Sequence, residues 1–238
     1  MNETYNLKAI VLKREPFREN DARVILYSPE KGKLALVARG VKKLRSKMAG
    51  HLEPFCFSEI MAIRGRKLEY IGSAMNINCF RGIKEDLDKL KIAGNVFKIF
   101  DRLVKEESPE PRIFNLLLDF LNTLEEKNNL QLELVSNLFL FKLLSELGYE
   151  PELRQCVICR KKIEPEGNWI SNIRGGLICP SCKIENSEKD DREAISENCI
   201  KLLRFSASRP LGVLTGLRAD SRLEAELAGR ISSFFIDF

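Results

Sequence analysis

The first eighty residues alternate with the two-residue period of strands. In "LKAIVLKR", Leu7, Ala9 and Val11 fall on one side and Lys8, Ile10 and Leu12 on the other. "ARVILYS" is β-branched and aromatic and ends at Ser28-Pro29, and "EKGK" places Gly32 where a tight turn needs it. "KLALVARG" sets Leu34, Leu36 and Ala38 against Lys33, Ala35 and Val37. "PFCFSEIMAIR" and "KLEYIGSAMNINCF" flank "RGRK", a hairpin signal around Gly65. Five strands are thus predicted. The longest gap lies between the third and fourth, where "RSKMAGHL" has room for a short helix. Five strands with a helix at that point predict an OB-fold, a small Greek-key barrel, although SH3-like barrels also have five strands.

From Lys84 the period becomes helical. Leu87, Leu90, Gly94, Phe97 and Phe100/Asp101 define one predicted face. "ESPEPR" interrupts it, with Pro109 and Pro111 suited to a first turn. Ile113, Leu116, Leu117, Phe120, Leu121 and Leu124 continue at helical spacing. "LQLELVSNLFLFKLLSELG" is apolar on most faces and predicts a buried helix that stops at Gly148. Residues 150–192 are rich in Gly, Pro and Cys. Helical pattern resumes in "SENCIKLLRFSAS", with Ser196 as a cap, and in the last segment, with Asp220 or Ser221 as a cap. The expected architecture is α+β and multidomain. An N-terminal OB-fold β-barrel occupies 1–80, and an α-helical domain 81–149 and 191–238. A four-cysteine zinc module is inserted at 150–190.

Charge sharpens this division. Residues 1–80 hold 15 Lys+Arg against 8 Asp+Glu, whereas the remainder holds 24 against 26. Between Lys31 and Gly50 there are seven basic residues, Lys31, Lys33, Arg39, Lys42, Lys43, Arg45 and Lys47, and no carboxylate. Such a run is either a solvated face or a polyanion site. The N-terminus lacks the pattern of a signal peptide, and no apolar run reaches the roughly 18 residues of a membrane span, so a cytoplasmic protein is expected.

Seven cysteines in such a chain do not predict a disulfide framework. Cys56, Cys79 and Cys199 sit among apolar neighbours and are expected to be small buried hydrophobes. Cys156, Cys159, Cys179 and Cys182 form C-x2-C-x19-C-x2-C, the spacing of a zinc ribbon. Each C-x2-C turn aims two sulfurs at one point, and four thiolates suit one tetrahedral Zn2+. An iron–sulfur cluster could use the same four residues. Gly175-Gly176 can turn a hairpin toward the second pair, and Arg160, Lys161, Lys162 and Lys183 can offset the thiolate charge. A closed four-thiolate site leaves no open position for water, which makes the metal structural.

No catalytic motif is evident. His51 is the sole histidine, and no phosphate-binding loop, dinucleotide fingerprint or nucleophile elbow is present. The acids of "KDDRE" (189–193) read as a solvated helix entry. A non-enzymatic polyanion binder and a protein–protein adaptor remain as the two classes.

The segments "LKREPFREND", "EKGK", "ARGVKKLRSKMAGHLEPF" and "GGLICPSC", following "CVIC", resemble the RecO family of bacterial DNA repair and recombination mediators. The resemblance spans nearly the whole chain. It implies an OB-fold and a helical domain that bind single- and double-stranded DNA, strand annealing, and action in the RecF pathway. It also implies RecR, the single-strand DNA-binding protein with its acidic tail, and indirectly RecA as partners. The seven basic residues from Lys31 to Lys47 align with the family's basic OB region, and Arg18 and Arg23 lie near the "REND" segment.

Overall fold

The structure, a computed structural model, describes residues 3–128, 131–184 and 191–234. The chain divides into two compact units, Met1–Lys127 and Asn128–Phe238.

In the first unit, β1 (Thr4–Pro16), β2 (Ala22–Ser28), β3 (Gly32–Ala38), β4 (Phe57–Arg64) and β5 (Glu69–Asn78) close a barrel in the order β1-β2-β3-β5-β4. The closing contact is a parallel pairing of β3 with β5 at Val37 and Tyr70. A one-turn 3-10 helix, Ala49–Leu52, fills the gap between β3 and β4. This is the OB-like arrangement that the strand count predicts. Leu7, Ala9, Val11, Val24, Leu26, Leu36, Ile60 and Ile71 fill the interior, so the period-2 side of β1 points inward as expected.

Ile10 and Leu12, on the opposite side of β1, are buried as well. They lie on the face of the barrel that helices cover. These are α1 (Arg81–Glu85), α2 (Leu87–Leu103) and α3 (Pro111–Glu126). Aromatic pairs stitch that layer: Tyr27 meets Phe100 at 5.1 Å between ring centroids, Phe55 meets Phe97 at 4.7 Å, and Phe57 meets Phe114 at 5.8 Å.

The helix expected to run on from Lys84 is broken at Asp86. The Asp86 carboxylate accepts the N–H groups of Asp88 and Lys89 and caps a new helix. The apolar face is set by Ile92, Ala93, Val96, Phe97 and Phe100, and Leu87 is left 81% exposed. The buried face is therefore about one residue out of phase with the predicted one. On α3 the expected positions Ile113, Leu116, Leu117, Phe120, Leu121 and Leu124 are all buried.

One turn is fixed by backbone geometry. Gly32 has φ +67°, and a Cβ there would lie 2.4 Å from the Ser108 carbonyl oxygen. Gly32→Ala should cost roughly 2 kcal/mol or more, read as a lower urea midpoint for the barrel.

The second unit holds α4 (Leu132–Glu146), β6 (Trp169–Ser171), β7 (Gly176–Ile178), α5 (Pro180–Ile184), β8 (Glu193–Ala194), α6 (Glu197–Ala207), α7 (Leu211–Leu214) and α8 (Ser221–Ser233). α4 is buried nearly all round and packs against α6, α7 and α8. Gly148 at φ +88° ends it, Ser196 caps α6 and Asp220 caps α8. β6, β7 and β8 form a small sheet, order β7-β6-β8.

The acids of 191–193 are structural rather than a solvated helix entry. The Asp191 carboxylate accepts from Ser171 Oγ (2.5 Å) and Ile173 N (2.8 Å), bracing the β6–β7 turn. Glu193 lies in β8 and pairs with Arg230. Lys189 and Asp190 lie outside the described residues. Among the described residues, no helix is long and apolar enough to cross a membrane.

Candidate nucleic-acid interface and metal centre

The basic run leaves the barrel at the end of β3 and crosses its rim toward the 3-10 helix. Val41, 1% exposed, pins it to the barrel core. The turn between β1 and β2 holds it from the side. Gly40 N donates to Asp21 Oδ1 (2.8 Å), Lys42 N to the Asn20 carbonyl (3.0 Å), and Lys42 Nζ to the Arg18 carbonyl (3.1 Å). Farther on, Ser58 Oγ donates to the His51 carbonyl (2.8 Å) and Asn76 N to His51 Nδ1 (3.2 Å). His51 thus serves as a clasp on the 3-10 helix.

This backbone anchoring holds charged side chains outward. Lys31, Arg39, Lys42, Lys43, Arg45 and Lys47 are all exposed. Among the described residues, none of the six is in an ion pair, whereas Lys13, Lys33, Arg64 and Lys84 of the same unit are. Leu44 stands fully exposed among them. Lys33 is placed differently. Its side chain is only 12% exposed, and Nζ donates to the Asp101 carbonyl (2.6 Å) and faces Asp101 Oδ1 at 3.5 Å. Arg18 and Arg23 are exposed on the neighbouring turn and on β2.

Aromatic rings lie beside these charges. The Arg39 guanidinium sits 3.8 Å over the Tyr70 ring, and Lys31 Nζ sits 4.8 Å over Tyr5. Phe17, 39% exposed, lies beside Arg18. Tyr27 and Phe55 are buried and Phe57 packs on Phe114. Of the rings beside these charges, Phe17 is exposed and Tyr5 and Tyr70 are half-buried.

Asp21 is a residue that charge counting passes over. It accepts the backbone of the basic run rather than neutralising its side chains. Asp21→Ala should cost about 1 kcal/mol. It should also speed tryptic cleavage between Arg39 and Lys47, read on a time course against the wild type.

In the second unit the four cysteines come together. Their sulfurs all lie within 4.8 Å of one another. The first pair sits on a hairpin in which Cys156 N donates to the Lys161 carbonyl and Ile163 N to the Arg154 carbonyl, 2.8 and 3.0 Å. The tight turn closes with Arg160 N on the Cys156 carbonyl at 2.9 Å, and Arg160 takes φ +61°. The second pair spans the end of β7 and the start of α5, where Cys182 N donates to the Cys179 carbonyl (3.1 Å). The β6–β7 turn through Gly175 and Gly176 aligns the two, and Glu152 presses so near that a Cβ on Gly176 would lie 2.5 Å from its carbonyl oxygen.

Burial opposes ionisation of Cys156, but the N–H groups of Cys159, Cys179 and Ile158 aimed at its sulfur outweigh that and bring the thiol down to about 6. Hydrogen bonding with Cys159 first, then burial, pushes Cys182 up to about 12. The donor set fits one metal ion. Four sulfurs held about 2.3 Å from a common ion at tetrahedral angles lie about 3.8 Å apart, and Cys159 Sγ and Cys179 Sγ are 3.8 Å apart. Arg160, Lys161 and Lys162 are exposed next to this site, and the Lys183 side chain lies outside the described residues.

Two family models match this chain, "Recombination protein O N terminal" over residues 1–80 and "Recombination protein O C terminal" over 84–237. Together they take in both the basic barrel and the cysteine cluster. The chain belongs to the RecO family. Its relatives include the DNA repair protein RecO of Dehalococcoides mccartyi (strain ATCC BAA-2266 / KCTC 15142 / 195), 33% identical over 98% of this chain and 90% of the relative. The RecO protein of Desulforamulus reducens is 32% identical over 97% of this chain and 88% of its own length. That of Roseiflexus sp. is 31% identical over 98% and 80%. As a RecO protein the chain is a DNA repair and recombination protein. The family resemblance read from the sequence is borne out, as are the α+β class and the cysteine cluster.

Proposed function

We propose that this RecO-family chain is a non-catalytic recombination mediator. It binds single- and double-stranded DNA through the rim of its barrel, independently of sequence, and anneals complementary strands. The observation that carries this reading is the run of six exposed basic side chains with, among the described residues, no acid paired to them. Charges along a barrel rim can follow the phosphate backbone wherever it lies, which supports binding without a base code. Lys31, Arg39, Lys42, Lys43, Arg45 and Lys47 neutralise phosphate. Lys33 supports the fold through Asp101. Tyr5, Phe17 and Tyr70 offer rings for unstacked bases. Annealing follows because two polyanions held on one basic rim are screened from each other.

The four cysteines hold one structural Zn2+. Sulfurs packed within 4.8 Å leave room for one ion and not for a cluster of iron and sulfide. The metal supplies local folding and no reactive position. Residues 1–80 carry DNA binding, and the four-cysteine insertion carries the zinc. The family context favours RecR, the acidic tail of single-strand DNA-binding protein and, indirectly, RecA as partners in the cytoplasm.

The test mixes labelled complementary oligonucleotides with the full chain and no partner protein. Accelerated annealing at low salt that fades as salt rises supports the mediator reading. No acceleration and no retention on single-stranded DNA would favour an adaptor whose basic rim receives protein acids.

A further inference from the structure

The barrel carries a second cysteine constellation, unrelated to the metal centre. Cys56 precedes β4 and Cys79 follows β5. The last registered pair of these antiparallel strands is Phe57 with Asn78, and Cys56 and Cys79 are the residues that immediately flank it, their thiols within hydrogen-bonding reach of each other. Both side chains belong to one packing cluster, Cys56 fully buried and Cys79 half-buried at its edge.

The polar neighbours of the pair are unusual for inert core thiols. Lys84 Nζ lies 3.4 Å from Cys56 Sγ while also pairing with Glu53 at 3.2 Å. Asn76 Nδ2 donates to Cys79 Sγ at 2.6 Å. Cys56 Sγ donates to the Gly50 carbonyl at 3.6 Å, and Asn76 Nδ2 reaches the same oxygen at 3.5 Å. Gly50 closes the basic run.

We propose that Cys56 and Cys79 are a dithiol site that hydrogen peroxide closes to a disulfide, loosening the anchor of the basic run at Gly50. Cys79, the more accessible thiol, attacks one peroxide oxygen. The O–O bond breaks, the departing hydroxide takes up the proton released by the thiol and leaves as water, and a sulfenic acid remains. The Cys56 sulfur then attacks Cys79 Sγ, the S–O bond breaks, and a second water leaves. Two thiols have lost two electrons and two protons, and the peroxide has become two waters. A small-molecule dithiol reverses the step by exchange. Burial pushes the Cys56 thiol up and the Lys84 ammonium works against that, so Lys84 steadies the thiolate that resolves the sulfenic acid. Once oxidised, Cys56 has no S–H to give Gly50.

The test uses the zinc-loaded full chain, treated with hydrogen peroxide, alkylated, and digested without reduction for mass spectrometry. A peptide pair joined through Cys56 and Cys79 is expected. It should be abolished by dithiothreitol and absent in Cys79→Ser. Before digestion, the oxidised chain should be cut by trypsin between Arg39 and Lys47 several-fold faster than the reduced chain. Both thiols remaining open to alkylation, or either one linked instead to a metal-centre cysteine, would overturn the proposal. So would an unchanged rate of tryptic cleavage. The mapping is made on the wild-type chain and involves no DNA, so it stands apart from the nucleic-acid reading.

Discussion

Changing Lys42, Lys43 and Arg45 together to Glu should weaken single-stranded DNA binding on the order of 100-fold at 0.1 M salt, and make the slope of log K against log salt about 2 less negative. Counterion release sets the size of the effect. Each phosphate engaged on a single strand contributes a slope of roughly −0.7, and three contacts are lost. The three side chains are exposed, and of the three only Lys42 makes a side-chain hydrogen bond, to the Arg18 carbonyl. The barrel should therefore stay folded, with an unchanged circular dichroism spectrum. Lys33→Met provides the contrast. It removes the bond to Asp101, so it should lower stability and leave the salt slope alone. If the triple variant kept both affinity and slope, the basic run would not be the phosphate path.

Removing the metal should produce the largest structural effect. Structural zinc sites contribute on the order of 10 kcal/mol of local folding free energy. The module around Cys156, Cys159, Cys179 and Cys182 is small, with strands β6 and β7 of three residues each. Chelation, or Cys156→Ala, should abolish hydrogen-exchange protection across residues 151–184. The strands of the barrel, with a core of their own, should keep theirs. Metal analysis should give one zinc per chain before chelation. Retained protection in the module after complete removal of zinc would show that its folding does not depend on the ion.

Much of this was legible in the sequence because local patterns carried it. β1 shows its inward side in Leu7, Ala9 and Val11 because side chains of a strand alternate strictly. The cysteine cluster was legible because two C-x2-C turns each fix two sulfurs before any long-range packing forms. The phase of α2 was not. Asp86 reads as one more polar helical residue until its carboxylate is seen to cap Asp88 and Lys89, and that cap rotates the buried face away from Leu87. Long-range contacts were likewise hidden. Lys33 looked equivalent to its basic neighbours, but Asp101, 68 residues on, takes its charge. Asp21, 19 residues from Gly40, holds the run by its backbone. The nearness of Cys56 and Cys79 depends on a strand pairing that no short motif encodes.

Nucleic acid should lie along the rim between Lys31 and Lys47. A hydrogen-exchange footprint of an oligothymidylate on the full chain, at low salt and without partner proteins, tests it most directly. Slowed exchange is expected from Ala38 to Gly50 and in the β1–β2 turn that holds it, reversed by raising the salt. Protection confined to residues 131–234, with the rim unchanged at saturating oligonucleotide, would contradict it.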